Sequence, residues 1–298
     1  MVYEDIHADI HALLPGRSTE AGARRRTVLH TALGLGYAAA AAPLMAQTAI
    51  ATPADGLTAG EISYTVDGFQ VPAYRAAPAG KSGLPVVLVV HEIFGVHAYI
   101  ADTCRRLAHA GYLAIAPELY ARQGNPASYG EMAKLMSELV SKVPDGQVMA
   151  DLDGALAWTA DHGGDPARAA ITGFCWGGRI AWLYAAHGPV KAGVAWYGRL
   201  EGAATPLTPK HPLELAPILR APVLGLYGEA DTGIPQESVE RMRVALAAGS
   251  KAAKASRIVT YPDVPHAFHA DYRASYRQAA AQDGWARMLA WLHDHGVR

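Results

Sequence analysis

The run Gly173-Phe174-Cys175-Trp176-Gly177-Gly178 holds the first candidate for chemistry in this chain. A cysteine attacks as its thiolate, so its reactivity depends on surroundings that favour the anion. An apolar, strand-like segment (Ala169-Ala170-Ile171-Thr172-Gly173) precedes Cys175, and a helical segment over 180–186 follows it. A tight strand–turn–helix connection would set the sulfur against a helix N-terminus. The free N–H groups and dipole there favour a thiolate, and also the oxyanion formed when it attacks a carbonyl. Gly173 and Gly177 suit such a turn, because side chains at those positions would collide with neighbouring elements. The competing reading is a buried, unreactive cysteine in a glycine-rich turn. The partner residues decide between the two.

Those partners follow in chain order. A strand ending in Tyr227-Gly228 runs into Glu229-Ala230-Asp231, and the next strand ends at Tyr261-Pro262, just before Asp263-Val264-Pro265-His266. An acid and a histidine at the carboxyl ends of successive strands can converge on one nucleophile. His266 would take the thiol proton and return it to a leaving alkoxide. Asp231 would hold the imidazole in one tautomer and stabilise the imidazolium. Glu229 is the alternative acid and His269 the alternative base. The chemistry of such a set is acyl transfer through a cysteine.

The elements that must position these residues alternate. Leu84-Pro85-Val86-Val87-Leu88-Val89-Val90 is a continuous apolar run suited to a central parallel strand. Helices are expected over 100–110, 132–143, 148–162, 180–186 and 278–295. Further strands are expected over 112–117, 190–197, 222–228 and 256–261. Asp67-Gly68, between 61–66 and 71–75, signals a hairpin. An opening hairpin followed by repeated strand–helix units predicts one doubly wound α/β domain with a mostly parallel twisted sheet. The proline-rich segment 205–217 reads as a loop insertion near the sheet's carboxyl edge.

Composition excludes several classes. The chain has 298 residues, 51% hydrophobic and 18% charged, with a net charge of -1. That gives no global pull toward nucleic acid or an anionic membrane. Two cysteines, Cys104 and Cys175, cannot build a disulfide framework or a four-cysteine zinc site, and the 13 histidines show no metal-ligand spacing. Residues 1–51 read as a targeting segment. Arg24-Arg25-Arg26 precedes an almost uncharged Ala-, Leu- and Gly-rich run that ends at Ala49-Ile50-Ala51, an A-x-A-like cleavage site. The arginines resemble a twin-arginine export signal, which implies a folded, periplasmic protein. Pro43 and the many small residues argue against a retained membrane span. The folded domain is therefore expected over 52–298.

Gly-x-Cys-x-Gly in this setting resembles the nucleophile elbow of α/β-hydrolases, with cysteine replacing serine. Four blocks resemble the dienelactone hydrolase (carboxymethylenebutenolidase) family over about 60–298. They are His91-Glu92-Ile93-Phe94-Gly95, Pro117-Glu118-Leu119-Tyr120-Ala121-Arg122, the cysteine elbow, and His266-Ala267-Phe268 with Arg273 beyond it. The resemblance implies a three-layer αβα sandwich. It implies that Glu92 contacts the cysteine and helps form its thiolate, and that the Ile93 and Trp176 N–H groups make the oxyanion hole. It implies that Arg122 grips a substrate carboxylate, a task suited to bidentate guanidinium hydrogen bonding. The second family clamp would be Arg273, which lies further along than in the best-known members. Trp176 and Tyr197 are candidates for the pocket wall, with core packing the alternative for Tyr197. The implied reaction opens a small lactone or ester, with 4-carboxymethylenebut-2-en-4-olide giving maleylacetate as the reference. It needs no metal or organic cofactor, and a monomer is the family's usual state. An exported carboxylesterase acting on a different ester is the nearest alternative. A non-catalytic binding protein of the same fold is the more distant one.

Overall fold

The computed structural model describes residues 50–298. The expected leader therefore lies outside the described residues, apart from its last two positions. Thr52 is held to the first long helix-forming segment by two hydrogen bonds. Its N–H donates to Asp102 Oδ1 (2.5 Å), and its carbonyl accepts from Arg105 Nε (2.8 Å).

Strands β1 (Leu57–Val66) and β2 (Phe69–Pro78) form the predicted hairpin, each longer than the sequence pattern suggests. Asp67 and Gly68 both have positive φ (49° and 78°), as a two-residue hairpin turn matched to the strand twist requires. The rest of the sheet is β3 (Leu84–Val90), β4 (Leu113–Pro117), β5 (Gly164–Phe174), β6 (Ala192–Trp196), β7 (Val223–Gly228) and β8 (Arg257–Tyr261). The strand order is β1-β2-β4-β3-β5-β6-β7-β8. β1–β2 and β2–β4 are antiparallel, and all later pairs are parallel. The order turns around at β3, which lies between β4 and β5. Crevices form at the carboxyl ends of strands in such open sheets.

The principal helices are α1 (Ala98–His109), α2 (Asp145–Ala160), α3 (Trp176–His187), α4 (Gln236–Ala248) and α5 (Gln278–Asp294). Strand alternation distributes them between two faces. Leu226 of β7 sits beneath Gly284 of α5, whereas its neighbour Tyr227 accepts a hydrogen bond from Trp182 Nε1 of α3 (3.0 Å). Residues one apart on a strand point to opposite faces, so the sheet is the middle of three layers. Val86–Val90 are all fully buried, each side chain contributing roughly 1.5–3 kcal/mol of hydrophobic stabilisation.

Two expectations change. The stretch 132–143 is not one helix. It is one α-turn (Met132–Lys134), a π-turn (Leu135–Leu139) and a 3-10 turn (Val140–Lys142). Helix α4 falls where no helix is expected. Proline stands at its N-cap, and its buried face is only Ser238, Val239, Met242 and Leu246. Among the described residues, no helix is long and apolar enough to cross a membrane.

Candidate active site

Cys175 sits between the last residue of β5 and the first of α3, with φ 54° and ψ -114°. For a non-glycine residue this backbone costs on the order of 1–3 kcal/mol and must be enforced by its surroundings. The enforcement is steric. A Cβ at Gly173 would lie 2.0 Å from the Gly177 carbonyl oxygen, one at Gly177 would lie 2.4 Å from that of Val90, and one at Gly178 would lie 2.5 Å from that of Trp196. Strand β5, helix α3 and the ends of β3 and β6 close around the turn at backbone contact. The Cys175 N–H donates to Trp196 O (3.0 Å), locking the elbow to β6.

His266 and Asp231 meet beside this turn. His266 Nδ1–H donates to Asp231 Oδ2 (2.6 Å), and Asp231 Oδ1 accepts from the Gly233 N–H (2.9 Å). That bond leaves Nε2 as the nitrogen available to Cys175. Their two loops touch because residue 228 is glycine: a Cβ there would lie 2.1 Å from Val264 O. Burial alone would push the imidazole pKa down. The charge of Asp231 and that of the Cys175 sulfur outweigh burial and hold it well above its ordinary value. The site therefore favours imidazolium, the species left once a thiol proton has moved to the ring. The alternatives lie elsewhere. Glu229 is exposed at the loop surface. His269 is buried at 2.5 Å from Tyr99 OH, with a pKa lowered by burial to about 3.

The Trp176 N–H is the first of α3, and the Ile93 N–H lies just beyond β3. Neither has a protein acceptor among the described residues, and both residues border the cavity beside Cys175. Their supports are buried. Neutral His91 donates through Nδ1 to Glu92 O (2.6 Å), accepts at Nε2 from the Leu119 N–H (3.1 Å) and stacks on Trp176 at 5.4 Å. Glu118 Oε2 accepts from the Val96 N–H (2.7 Å), and a Cβ on Gly95 would lie 2.4 Å from that same oxygen. Sequence reasoning gave neither His91 nor Glu118 a role. Their signal was membership of two conspicuous blocks.

Glu92 is buried, and its Oε2 accepts from Tyr272 OH (2.6 Å), with His97 Nε2 at 3.8 Å; Oε1 has no hydrogen-bond partner among the described residues. Burial would raise its pKa, but His97 and Arg273 outweigh burial and hold the carboxyl at about 2. The expected contact with the sulfur is replaced here by Tyr272. Arg273 belongs to this group. Its Nε donates to Tyr272 OH (3.3 Å), and its guanidinium lies over the Phe94 ring at 5.0 Å. Tyr197 (φ 38°) does line the cavity, edge-on to His266 at 5.1 Å, and its buried hydroxyl has no hydrogen-bond partner among the described residues.

Arg122 departs from expectation. Its guanidinium donates to buried Asp151 (2.5 Å) and to Val66 O (3.3 Å) and stacks on Phe69 at 4.5 Å. It does not border the cavity at Cys175. The arginine is drawn to the β1–β2 hairpin and α2 because Asp151 would otherwise be buried without a counter-charge. Arg122→Ala is therefore expected to lower stability by roughly 3 kcal/mol, the cost of orphaning a buried carboxylate, while leaving KM unchanged. Paired denaturation curves and Michaelis–Menten fits check this.

Comparison with known proteins places the chain. The sequence model of the dienelactone hydrolase family matches residues 71–296. A Methylorubrum extorquens protein named "Putative carboxymethylenebutenolidase" is 56% identical over 275 residues, covering 92% of this chain and 94% of that protein. A Bradyrhizobium protein named "Probable 2-oxo-3-(5-oxofuran-2-ylidene)propanoate lactonase" is 31% identical over 225 residues, covering 75% of this chain and 89% of its own. A Klebsiella pneumoniae crystal structure titled "Putative Dienelactone Hydrolase" superposes with a TM-score of 0.78 at 58% identity, covering 80% of this chain and 99% of that one. With its elbow, its sheet and these relatives taken together, the chain belongs to the dienelactone hydrolase family of α/β-hydrolases.

Proposed function

We propose that this protein hydrolyses a small lactone or carboxylic ester through a cysteine acyl-enzyme, with Cys175, His266 and Asp231 as its catalytic residues. The observation that carries the reading is the convergence of three features on one cavity: a strained cysteine, a carboxylate-oriented imidazole, and two unengaged N–H groups. In the proposed reaction the Cys175 proton passes to His266 Nε2 and the sulfur attacks the acyl carbon. The oxyanion is held by the Ile93 and Trp176 N–H groups. The carbon–oxygen bond then breaks, the leaving oxygen takes the proton from His266, and a thioester remains. Water attacks this thioester with His266 as base, the carbon–sulfur bond breaks, and the thiol is restored. Glu92, held by Tyr272, His97 and Arg273, is a positioning residue for the wall behind the nucleophile. The dienelactone reaction giving maleylacetate is the reference chemistry. The name of the Bradyrhizobium relative, a lactonase, supports a ring-opening substrate. The leader-like segment supports a periplasmic site of action, where a different ester would be met.

The test uses both cysteines. Cys104 is fully buried, and burial pushes its thiol well up, whereas Cys175 is partly accessible. Iodoacetamide is expected to label Cys175 at least about tenfold faster than Cys104 and to abolish hydrolysis of a dienelactone or aryl ester. Acid-quenched enzyme is expected to carry a hydroxylamine-sensitive acyl mass on the peptide containing Cys175. Turnover that persists after Cys175 is alkylated would refute the proposal.

A further inference from the structure

The sequence pattern puts a leader cut after Ala51, yet the residues on both sides of that bond are engaged with the folded body. Thr52 is bonded at every polar atom. Its N–H donates to Asp102 Oδ1 (2.5 Å), its hydroxyl donates to Asp102 Oδ2 (3.3 Å), and its carbonyl accepts from Arg105 Nε (2.8 Å). Pro53 O follows, with His109 Nε2 at 2.9 Å. On the other side of the bond, the Ile50 N–H reaches Asp271. Burial raises the Asp271 pKa, and the Arg106 guanidinium and this N–H hold it down in part.

The carboxylates that receive this segment are buried, and their charge is already matched. Arg106 of α1 bridges them, with Nε on Asp102 Oδ2 (2.6 Å) and Nη2 on Asp271 Oδ2 (2.5 Å), and Arg105 Nη2 adds a bond to Asp102 Oδ1 (3.0 Å). Two guanidiniums balance two carboxylates. Amide N–H groups then satisfy remaining lone pairs without adding charge. A cut after Ala51 would turn the Thr52 amide into an ammonium, a third cation beside two arginines, and would remove the Ile50 donor. The loss would fall next to the active site's support. Arg106 clamps α1 to the loop after His266, and Tyr272, the residue following Asp271, holds Glu92.

We propose that residues 50–53 are a strap retained in the mature protein, and that leader removal falls upstream of Ile50 rather than after Ala51. The strap closes the clamp of Asp102, Arg106 and Asp271, and its docking guards the Ala51–Thr52 bond. A leader of the twin-arginine kind goes with export of an already folded chain. In a folded chain this bond cannot extend into a peptidase while Thr52 is held at its N–H, hydroxyl and carbonyl. The alanine run over 38–42 offers the same small-residue pattern further upstream. The likeness to the Methylorubrum extorquens relative also runs through the strap, because its 275 matched residues are more than Thr52 to Arg298 contain.

The test expresses the full chain in a bacterium with twin-arginine export and measures the intact mass of the protein from periplasm and cytoplasm. Every species is expected to begin at or before Ile50. A mature form beginning at Thr52 overturns the proposal. The purified cytoplasmic form is then digested with elastase, which cleaves after small residues, and cutting at Ala51–Thr52 is followed by mass spectrometry. Cleavage there requires the strap to open first. Asp102→Ala removes the grip on the Thr52 N–H, and Arg105→Gln removes the grip on its carbonyl. Each is expected to be cut at this bond at least about tenfold faster than the wild type, with cutting after Ala46 unchanged as the internal standard. Arg105 lies nearer the surface than Asp102, so Arg105→Gln decides the matter if Asp102→Ala does not fold. Equal rates in the wild type and Arg105→Gln would mean that docking does not guard the bond, and would overturn the proposal. Neither readout uses turnover, so both stand apart from the hydrolase reading.

Discussion

Cys175→Ala is expected to lower kcat/KM for any lactone or ester substrate by about 10⁴-fold or more, with the fold intact. The size follows from the way a nucleophile and its base act as a unit: removing one member of such a set costs nearly as much as removing all of them. The substitution is clean because alanine keeps a Cβ at the same φ of 54°, so the elbow's strain is unaltered and the loss cannot be assigned to unfolding. Cys175→Gly separates the two properties further. Removing the Cβ relieves strain on the order of 1–3 kcal/mol, against up to about 1 kcal/mol of added unfolded-chain entropy. The glycine variant should therefore be as inactive as the alanine variant but melt at a higher temperature. Scanning calorimetry of the two variants alongside activity assays checks both halves. Equal melting temperatures would mean that the turn stores no strain, and retained activity would remove Cys175 from the mechanism.

The contrast between what could and could not be read from the sequence has a physical basis. The elbow, Asp231 and His266 were legible because each is fixed by its own strand end and by glycines in the turns around it. The backbone closure that places His266 on Asp231 depends on Gly228 meeting Val264, and that glycine stands in plain view at the end of its strand. Arg122 was legible as a residue but not as a contact. Its direction is set by Asp151 on α2 and Val66 on β1, and their distances in sequence are 29 and 56 residues. A long, flexible guanidinium goes to whichever carboxylate burial leaves most in need of charge. Likewise, α4 hides its period because Val244 on its outer face is exposed and apolar. The broken helix over 132–142 bends through a π-turn, which brings Met136, Val140 and Ser141 to the cavity. Composition gives helix there but cannot give the change of pitch.

Asp231→Asn is expected to reduce kcat by about 10³- to 10⁴-fold and to alter stability in a pH-dependent direction that identifies the cause. In the wild type the folded-state pKa of His266 is raised above its unfolded value, with burial outweighed by Asp231 and the Cys175 sulfur. A raised histidine pKa stabilises the fold fully below the unfolded pKa, near 6.5, and that stabilisation is lost as pH rises through the folded value. Without the Asp231 charge, burial dominates and the ring pKa falls, so acid must charge a buried imidazole that has lost its partner. The melting temperature of Asp231→Asn should therefore fall furthest below that of the wild type at pH 5 to 6, and the gap should narrow as the pH is raised. A gap that is constant with pH would mean that Asp231 supports the loop through the Gly233 N–H rather than through the imidazolium. A gap that widens toward alkaline pH would contradict the proton arrangement on which the catalytic proposal depends. Kinetics add the matching sign. Asparagine can present its NH₂ to Nδ1 and reverse the tautomer, leaving Nε2 protonated and unable to take the thiol proton. The residual rate of the variant should then no longer follow the titration of His266.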